Sequence, residues 1–282
     1  MPIVTEADIA AFVNPIFEDA LFVARDNNLM LPLVKKFDDR TGVAVRQNSQ
    51  YGTATMNAIG ETDDLVSQAF TPSSIATLTP SEFGAQFFVT DLREESDPFQ
   101  VRADAAMELG MAAAQSVESN LVSQFSSLTG GTVGAAGTVM AMGHFFAMLT
   151  LLRNQFAPGP YAFVCHPFQW HALAKAVLPP GTVTNAPNFQ DELLRKFWVG
   201  TIGPVDIFTS SNISIDSSDD AYCAMFSPTA IGFDTRRALR IAPQRDESRR
   251  GLELNASMVY AKGVWRPKFG VKGLFDAAVP TS

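Results

Sequence analysis

The sequence predicts an α+β fold, on three observations. A helical pattern free of proline runs from Phe99 to Leu128. Strand-like runs lie on both sides of it, at 41–92 and beyond Ala238. Between them, 131–230 mixes helical and strand patterns, so helices and strands are partly segregated rather than in strict βαβ alternation.

Composition bounds the answer. A chain of 282 residues, 46% hydrophobic and 18% charged, carries core enough for one large domain or two ordinary ones. It is too apolar and too weakly charged for intrinsic disorder. With 29 Asp and Glu against 21 Lys and Arg, the formal charge is −8. Gripping phosphate backbones would start from net repulsion, which argues against nucleic-acid binding as the main task. It fits a surface that faces nucleic acid without adhering to it. Cys165 and Cys223 are too few for a disulfide scaffold, and each sits in an apolar run. They read as small buried hydrophobes in a reducing compartment. Met1–Thr5 shows no secretion signal. The apolar stretch Thr138–Leu152 is shorter than the roughly 20 residues of a membrane span, and His144 interrupts it, so a buried helix is expected and no membrane.

The first element is an amphipathic helix from Thr5, with Ile9, Phe12, Val13, Ile16 and Phe17 at helical spacing and Pro15 dividing it. From 41 to 92 come strand-like runs, Gly42–Arg46, Leu65–Phe70 and Gln86–Thr90. Turns such as 59–64 and Thr71-Pro-Ser-Ser74 separate them. No Lys or Arg falls between Arg46 and Arg93. This segment has too few large apolar residues for a core of its own. An arm lying on a partner fits it, and so does a surface hairpin within one domain.

Asp97 and Pro98 start the long helix as cap and first residue. Its stripe is Ala106, Leu109, Ala113, Val117, Leu121, Phe125 and Leu128, with Asp104, Glu108, Gln115 and Glu118 on the other side. At ~1.5 Å per residue it is about 45 Å long, and it stops at Thr129-Gly-Gly131. Gly131–Gly137 reads as a flexible connector, Thr138–Phe156 as a helix and Tyr161–Cys165 as a buried strand. His166-Pro167 opens a helix to about Val177. Phe189–Phe197 is a further helix, and Val205–Thr209 and Tyr222–Phe226 are strands. The chain closes with strands at Leu239–Ala242, Leu252–Ala261 and Val264–Leu274. The long helix must therefore pack on strands far downstream.

Candidate chemistry resolves into structure. The run Gly130–Gly137 lacks the Gly-Lys-Ser/Thr ending of a phosphate loop and follows a helix where such loops follow a strand, so it reads as a hinge. Cys165, His166 and His171 suggest a thiol–base pair or a metal site. Adjacent strand residues point to opposite faces, and no further cluster completes a zinc site. His166 ends its strand, and His171 lies on a helix surface. The pairs Asp38-Asp39, Asp63-Asp64 and Asp219-Asp220 read as solvated turns. With no nucleophile elbow or His-Glu-x-x-His motif, neither catalytic residues, a cofactor nor a metal is expected.

What stands out is charge. Arg236, Arg237, Arg240, Arg245, Arg249 and Arg250 place 6 of the 21 basic residues within 15 positions. Acidic residues gather elsewhere: Glu61, Asp63 and Asp64 in the arm, and Asp91, Glu94, Glu95 and Asp97 before the long helix. Charge runs are commonly solvated loops. Arginine nevertheless favours planar, bidentate contact with carboxylates, so a contact between subunits, acidic arm to basic loop, is the functional expectation.

This order of elements resembles the major capsid protein of tailed bacteriophages, with its Hong Kong 97-like capsid fold. The resemblance covers nearly the whole chain: N-terminal arm helix (Thr5–Arg25), extended E-loop β-hairpin (about Thr41–Asp91), long spine helix (Pro98–Leu128) and an axial α/β domain with Tyr161-Ala-Phe-Val-Cys-His-Pro-Phe-Gln-Trp-His-Ala-Leu173. Peripheral β-strands follow from Ala230-Ile-Gly-Phe-Asp-Thr-Arg-Arg to Gly270-Val-Lys-Gly-Leu-Phe-Asp276. The implied divisions are 1–40 (arm), 41–92 (E-loop), 93–130 (peripheral domain with spine helix), 131–230 (axial domain) and 231–282 (peripheral return strands).

The resemblance implies function by assembly rather than catalysis. Pentamers and hexamers of this chain would close an icosahedral shell, assembled in the host cytoplasm, around double-stranded DNA held without sequence-specific binding. Scaffolding, portal and decoration proteins are possible further partners in such a virion. Some members crosslink an E-loop Lys to an Asn of a neighbour; this E-loop has no Lys, so that covalent chainmail is not expected. The chain begins directly with the arm, which implies a separate scaffolding protein or none. An encapsulin-type nanocompartment, the same shell around a cargo enzyme, is the alternative.

Overall fold

The computed structural model describes residues 29–51, 54–61, 64–96, 101–177 and 201–280. The expected helices Thr5–Arg25 and Phe189–Phe197, the cap Asp97-Pro98 and the candidate Asp63 lie outside these residues.

The long helix is the axis of the fold. It is observed as α2, Val101–Val122, continued by one 3-10 turn, Ser123–Ser127; a six-residue α1, Asp91–Ser96, precedes it. Every residue of its expected apolar stripe is buried. The Leu and Phe members each contribute about 1.5–3 kcal/mol by leaving water. Leu109 and Ala113 pack on Leu239, Ile241, Leu254 and Ala256, all far downstream, as the patterning requires.

Those partners belong to a four-stranded sheet ordered β1 (Lys35–Phe37), β10 (Ile231–Asp246), β11 (Gly251–Val264), β4 (Ser81–Thr90). β1 is parallel to β10, and the other pairs are antiparallel. β10 and β11 run far beyond the apolar cores, Leu239–Ala242 and Leu252–Ala261, that mark them in sequence. Long hairpin pairing carries polar residues that no hydrophobic pattern announces.

A six-stranded sheet holds β5 (Thr132–Gly134), β12 (Gly270–Asp276), β9 (Asp220–Phe226), β6 (Tyr161–Cys165), β8 (Val205–Thr209) and β7 (Thr201–Ile202), in that order. Helix α3, Met142–Asn154, buries Phe145, Met148, Leu149 and Leu152 against it while Phe146 stays half exposed. It is therefore amphipathic rather than wholly buried, and shorter than the 138–156 pattern. Helix α4, Pro167–Val177, begins and ends where the sequence puts it. Among the described residues no helix is long and apolar enough to cross a membrane.

The glycine connector is the clearest difference. Gly131–Gly137 contains β5, which pairs in parallel with β12. Gly134 has φ +82, and a Cβ there would stand 2.4 Å from the Phe275 ring. Gly131 and Gly134 serve close packing rather than looseness.

The arm also departs from expectation. Its strands are β2 (Arg46–Tyr51) and β3 (Pro72–Leu78), paired antiparallel. Gly42–Val45 is exposed and irregular, with Gly42 in a left-handed turn (φ +80). The expected turn Thr71–Ser74 becomes strand from Pro72, a position where proline is tolerated because it opens the strand. Leu65–Phe70, expected as a strand, has no ladder among the described residues.

Candidate assembly surfaces

At the root of the arm, Leu78 is fully buried beneath Ala261, Trp265 and Phe37. A charged network lies beside it. Arg46 Nε donates to Asp234 Oδ2 at 2.8 Å, and Arg236 Nη2 donates to the same oxygen at 2.9 Å and to the Ala44 carbonyl at 2.8 Å. Arg46 also pairs with Asp39 and lies over the Phe37 ring at 4.3 Å. The Arg46 guanidinium holds the Asp39 carboxyl below its ordinary pKa. Asp234 is fully buried and Arg236 nearly so. Two buried arginines share one carboxylate and tie β2 to β10; removing Asp234 would leave the buried Arg236 without a carboxylate and Arg46 with Asp39 alone.

Beyond this root the arm is apolar and exposed. Met56, Ile59, Leu65, Val66 and Phe70 all face solvent. Its two limbs are held by a Tyr51–Phe70 stack with ring centroids 4.6 Å apart. The Gln68 side chain adds a second tie, accepting from Thr55 N at 2.9 Å and donating to Thr55 O at 2.6 Å. So many exposed large apolar residues on one arm exceed the scattered singles of ordinary monomer surfaces.

The charged candidates divide by position. Arg245 grips Asp91 of its own chain through two bonds of 2.7 and 2.8 Å and reaches Glu247 at 3.1 Å. These carboxylates push its pKa up. Arg237 pairs with Glu82, Glu94 with Arg102 at 2.7 Å, and Arg236 belongs to the buried network. Arg249 and Arg250 form the exposed tip of the β10–β11 hairpin, and Arg250 takes φ +51. Arg249 has only distant carboxylates, Asp246 at 3.7 Å and Glu253 at 3.9 Å. Glu61, Asp64 and Glu95 are exposed. The chain thus joins part of its basic segment to acidic residues within itself and leaves the tip and the arm carboxylates apart.

Two carboxylates escaped the sequence reading. Glu118, expected on the polar side of the long helix, is 2% exposed. Its Oε2 accepts from Leu29 N at 2.9 Å and Met30 N at 3.0 Å, and its Oε1 accepts from Ser210 Oγ at 2.8 Å. It anchors the chain segment that enters at Leu29 onto α2. Asp220, read as a solvated turn, is buried and accepts from Gly137 N at 2.7 Å. The only sequence signal for either is an acid among small residues, which many solvated positions share.

The candidates for chemistry take structural places. Cys165 and Cys223 are buried and free; burial pushes the Cys223 thiol up to about 12 and the Cys165 thiol up as well. His166 Nδ1 accepts from Phe168 N at 3.2 Å, capping α4, and burial lowers its pKa. His171 is exposed on α4. Among the described residues no cluster could hold a metal ion.

Comparison with known proteins agrees with this geometry. Residues 75–273 match a family described as phage capsid protein. A comparison with curated proteins gives no match. Among solved structures, Mycobacterium phage Che8 superposes at TM-score 0.70 with 16% identity, over 87% of this chain and 90% of that one. The capsid structure of cyanophage P-SCSP1u gives 0.68 with 13% identity over 87% of each chain. The holo-SrpI encapsulin complex of Synechococcus elongatus gives 0.60 with 13% identity, over 90% of this chain and 88% of that one. The family match takes in more than half of the chain and the superpositions share its mixed helix-and-sheet architecture, so this chain belongs to the phage capsid protein family, with a Hong Kong 97-like fold.

Proposed function

We propose that this protein is the major capsid protein of a tailed-phage head. Copies form pentamers and hexamers, and these close into an icosahedral shell around double-stranded DNA. The observation that carries this reading is the arm: its root is locked by buried charge and its outer limbs are apolar without cover in the single chain. In a ring, the E-loop limbs of one subunit lie across the next, and many modest contacts add cooperatively. The acidic balance keeps the lining from holding the genome tightly. Assembly occurs in the host cytoplasm, and portal, scaffolding or decoration proteins are the further partners such a head takes.

The exposed tip Arg249–Arg250 supports the contact between subunits, with Glu61, Asp63 and Asp64 as its opposite charges. Replacing both arginines by Glu should abolish particles while circular dichroism of the subunit stays unchanged; normal particles from that variant would remove these residues from the interface. Likeness to an encapsulin complex favours a second reading, a shell around an enzyme. Electron microscopy of particles from the native source, with extraction of their contents, separates the two. Packaged DNA supports a phage head, and a cargo protein without DNA supports the nanocompartment.

A further inference from the structure

The segment 64–70 has the composition of a strand and no ladder. Leu65-Val66-Ser67-Gln68-Ala69-Phe70 is rich in strand formers and free of charge, Gly and Pro. Yet it forms no regular element, is exposed, and among the described residues is tied to the opposite limb by the Gln68 side chain instead of by backbone bonds. Among the described residues no backbone bond engages the N–H and C=O groups of 64–70.

An equally unfinished element lies on the body. β4 is an edge of the four-stranded sheet and pairs, among the described residues, with β11 alone. At ten residues it is long for an edge, and it carries none of the usual guards: no Lys, no Pro, and Glu82 as its single charge. Most of its side chains are exposed. Along its C-terminal half runs a groove of about 350 Å³, with Phe87, Val89 and Ala105 as its apolar lining and Arg93, Asp104 and Glu108 as its charged lining, with room for a side chain from an added strand.

We propose that residues 64–70 of one copy complete their strand on the free edge of β4 in a neighbouring copy. This rests on the assembly reading above and states which backbone contact makes it. Ladder bonds supply the affinity, and alternate side chains enter the groove. Charge sets the direction. β4 ends at Thr90, which pairs with Gly251 directly after Arg249 and Arg250, and Arg93 borders the groove at the same end; of the carboxylates there, Asp91 is already bound by Arg245 and Glu94 by Arg102. The acidic lead-in of the arm, Glu61 and Asp64, therefore lies toward Thr90, and the uncharged residues 65–70 lie past Asp104 and Glu108 without repulsion.

Hydrogen–deuterium exchange on full-length protein, unassembled and as particles, tests this, together with the variant Ser67→Pro. The substitution puts a proline, which lacks an N–H and is poorly tolerated in a paired strand, at an exposed position, so the subunit should keep its circular dichroism. Amides of 64–70 and alternate amides of β4 should slow at least about tenfold on assembly. Ser67→Pro should lower particle yield and leave β4 exchanging as in the free subunit. Particles that form with exchange unchanged in both segments would overturn the proposal and leave the assembly reading standing. Protection of one segment without the other would also overturn it, since another element would then occupy the edge. Wild-type protein that forms no particle under any condition would overturn both.

Discussion

Single side chains with no surface role hold this molecule in register. Glu118 satisfies two backbone donors with one oxygen and a hydroxyl with the other. Glu118→Ala should cost about 2–4 kcal/mol in chemical denaturation, because buried donors lose their acceptor. Glu118→Gln should cost less than about 1 kcal/mol, since its carbonyl can take the two backbone donors and its amide can donate to Ser210 Oγ. Equal losses for both would show that charge, not hydrogen-bond count, matters there. His166 gives a pH signature. Burial lowers its folded-state pKa below the ordinary 6.5, so on acidification the unfolded chain takes up a proton before the folded one does. This contribution is fully present above pH ~6.5 and is lost progressively below it. His166→Asn keeps a cap for Phe168 N and should flatten that part of the pH–stability curve; an unchanged slope would place the titration elsewhere.

At the scale of elements, what the sequence disclosed depended on where the burial signal comes from. The stripe of α2, the strand Tyr161–Cys165 and the helix Pro167–Val177 were legible because local periodicity and punctuation coincide with the buried face. β5 was not legible, since its pairing with β12 lies far away in sequence and its glycines imitate a hinge. Gly134→Ala tests that reassignment. A methyl at φ +82 against Phe275 should cost about 2–5 kcal/mol from overpacking and left-handed backbone together, seen as a lower Tm. A substitution tolerated without loss would restore the flexible connector. Glu118 and Asp220 escaped for a related reason, because the donors that bury a carboxylate are brought to it by the fold. The charge segregation was legible as composition, but which arginines remain at the surface was decided by β10 and β11: Arg236 turns inward to Asp234, Arg245 lies against Asp91, and the hairpin tip keeps Arg249 and Arg250 outside.

For the whole molecule, the body is finished and the arm is not. Four clusters of buried residues close around α2, the two sheets and the arm root, while the limbs at 54–61 and 64–70 keep their large apolar side chains in solvent. A chain shaped this way gains its remaining burial from further copies. Replacing residues 52–70 by a short turn should therefore leave thermal stability of the subunit within about 1 kcal/mol and remove assembly; comparable loss of both would assign the arm to the fold of its own chain. The most direct measurement is cryo-electron microscopy of the purified protein at high concentration. Closed shells in which Met56, Leu65, Val66 and Phe70 of each subunit are covered by an adjacent copy are expected. A population of separate subunits whose arm folds back upon its own body would contradict the account.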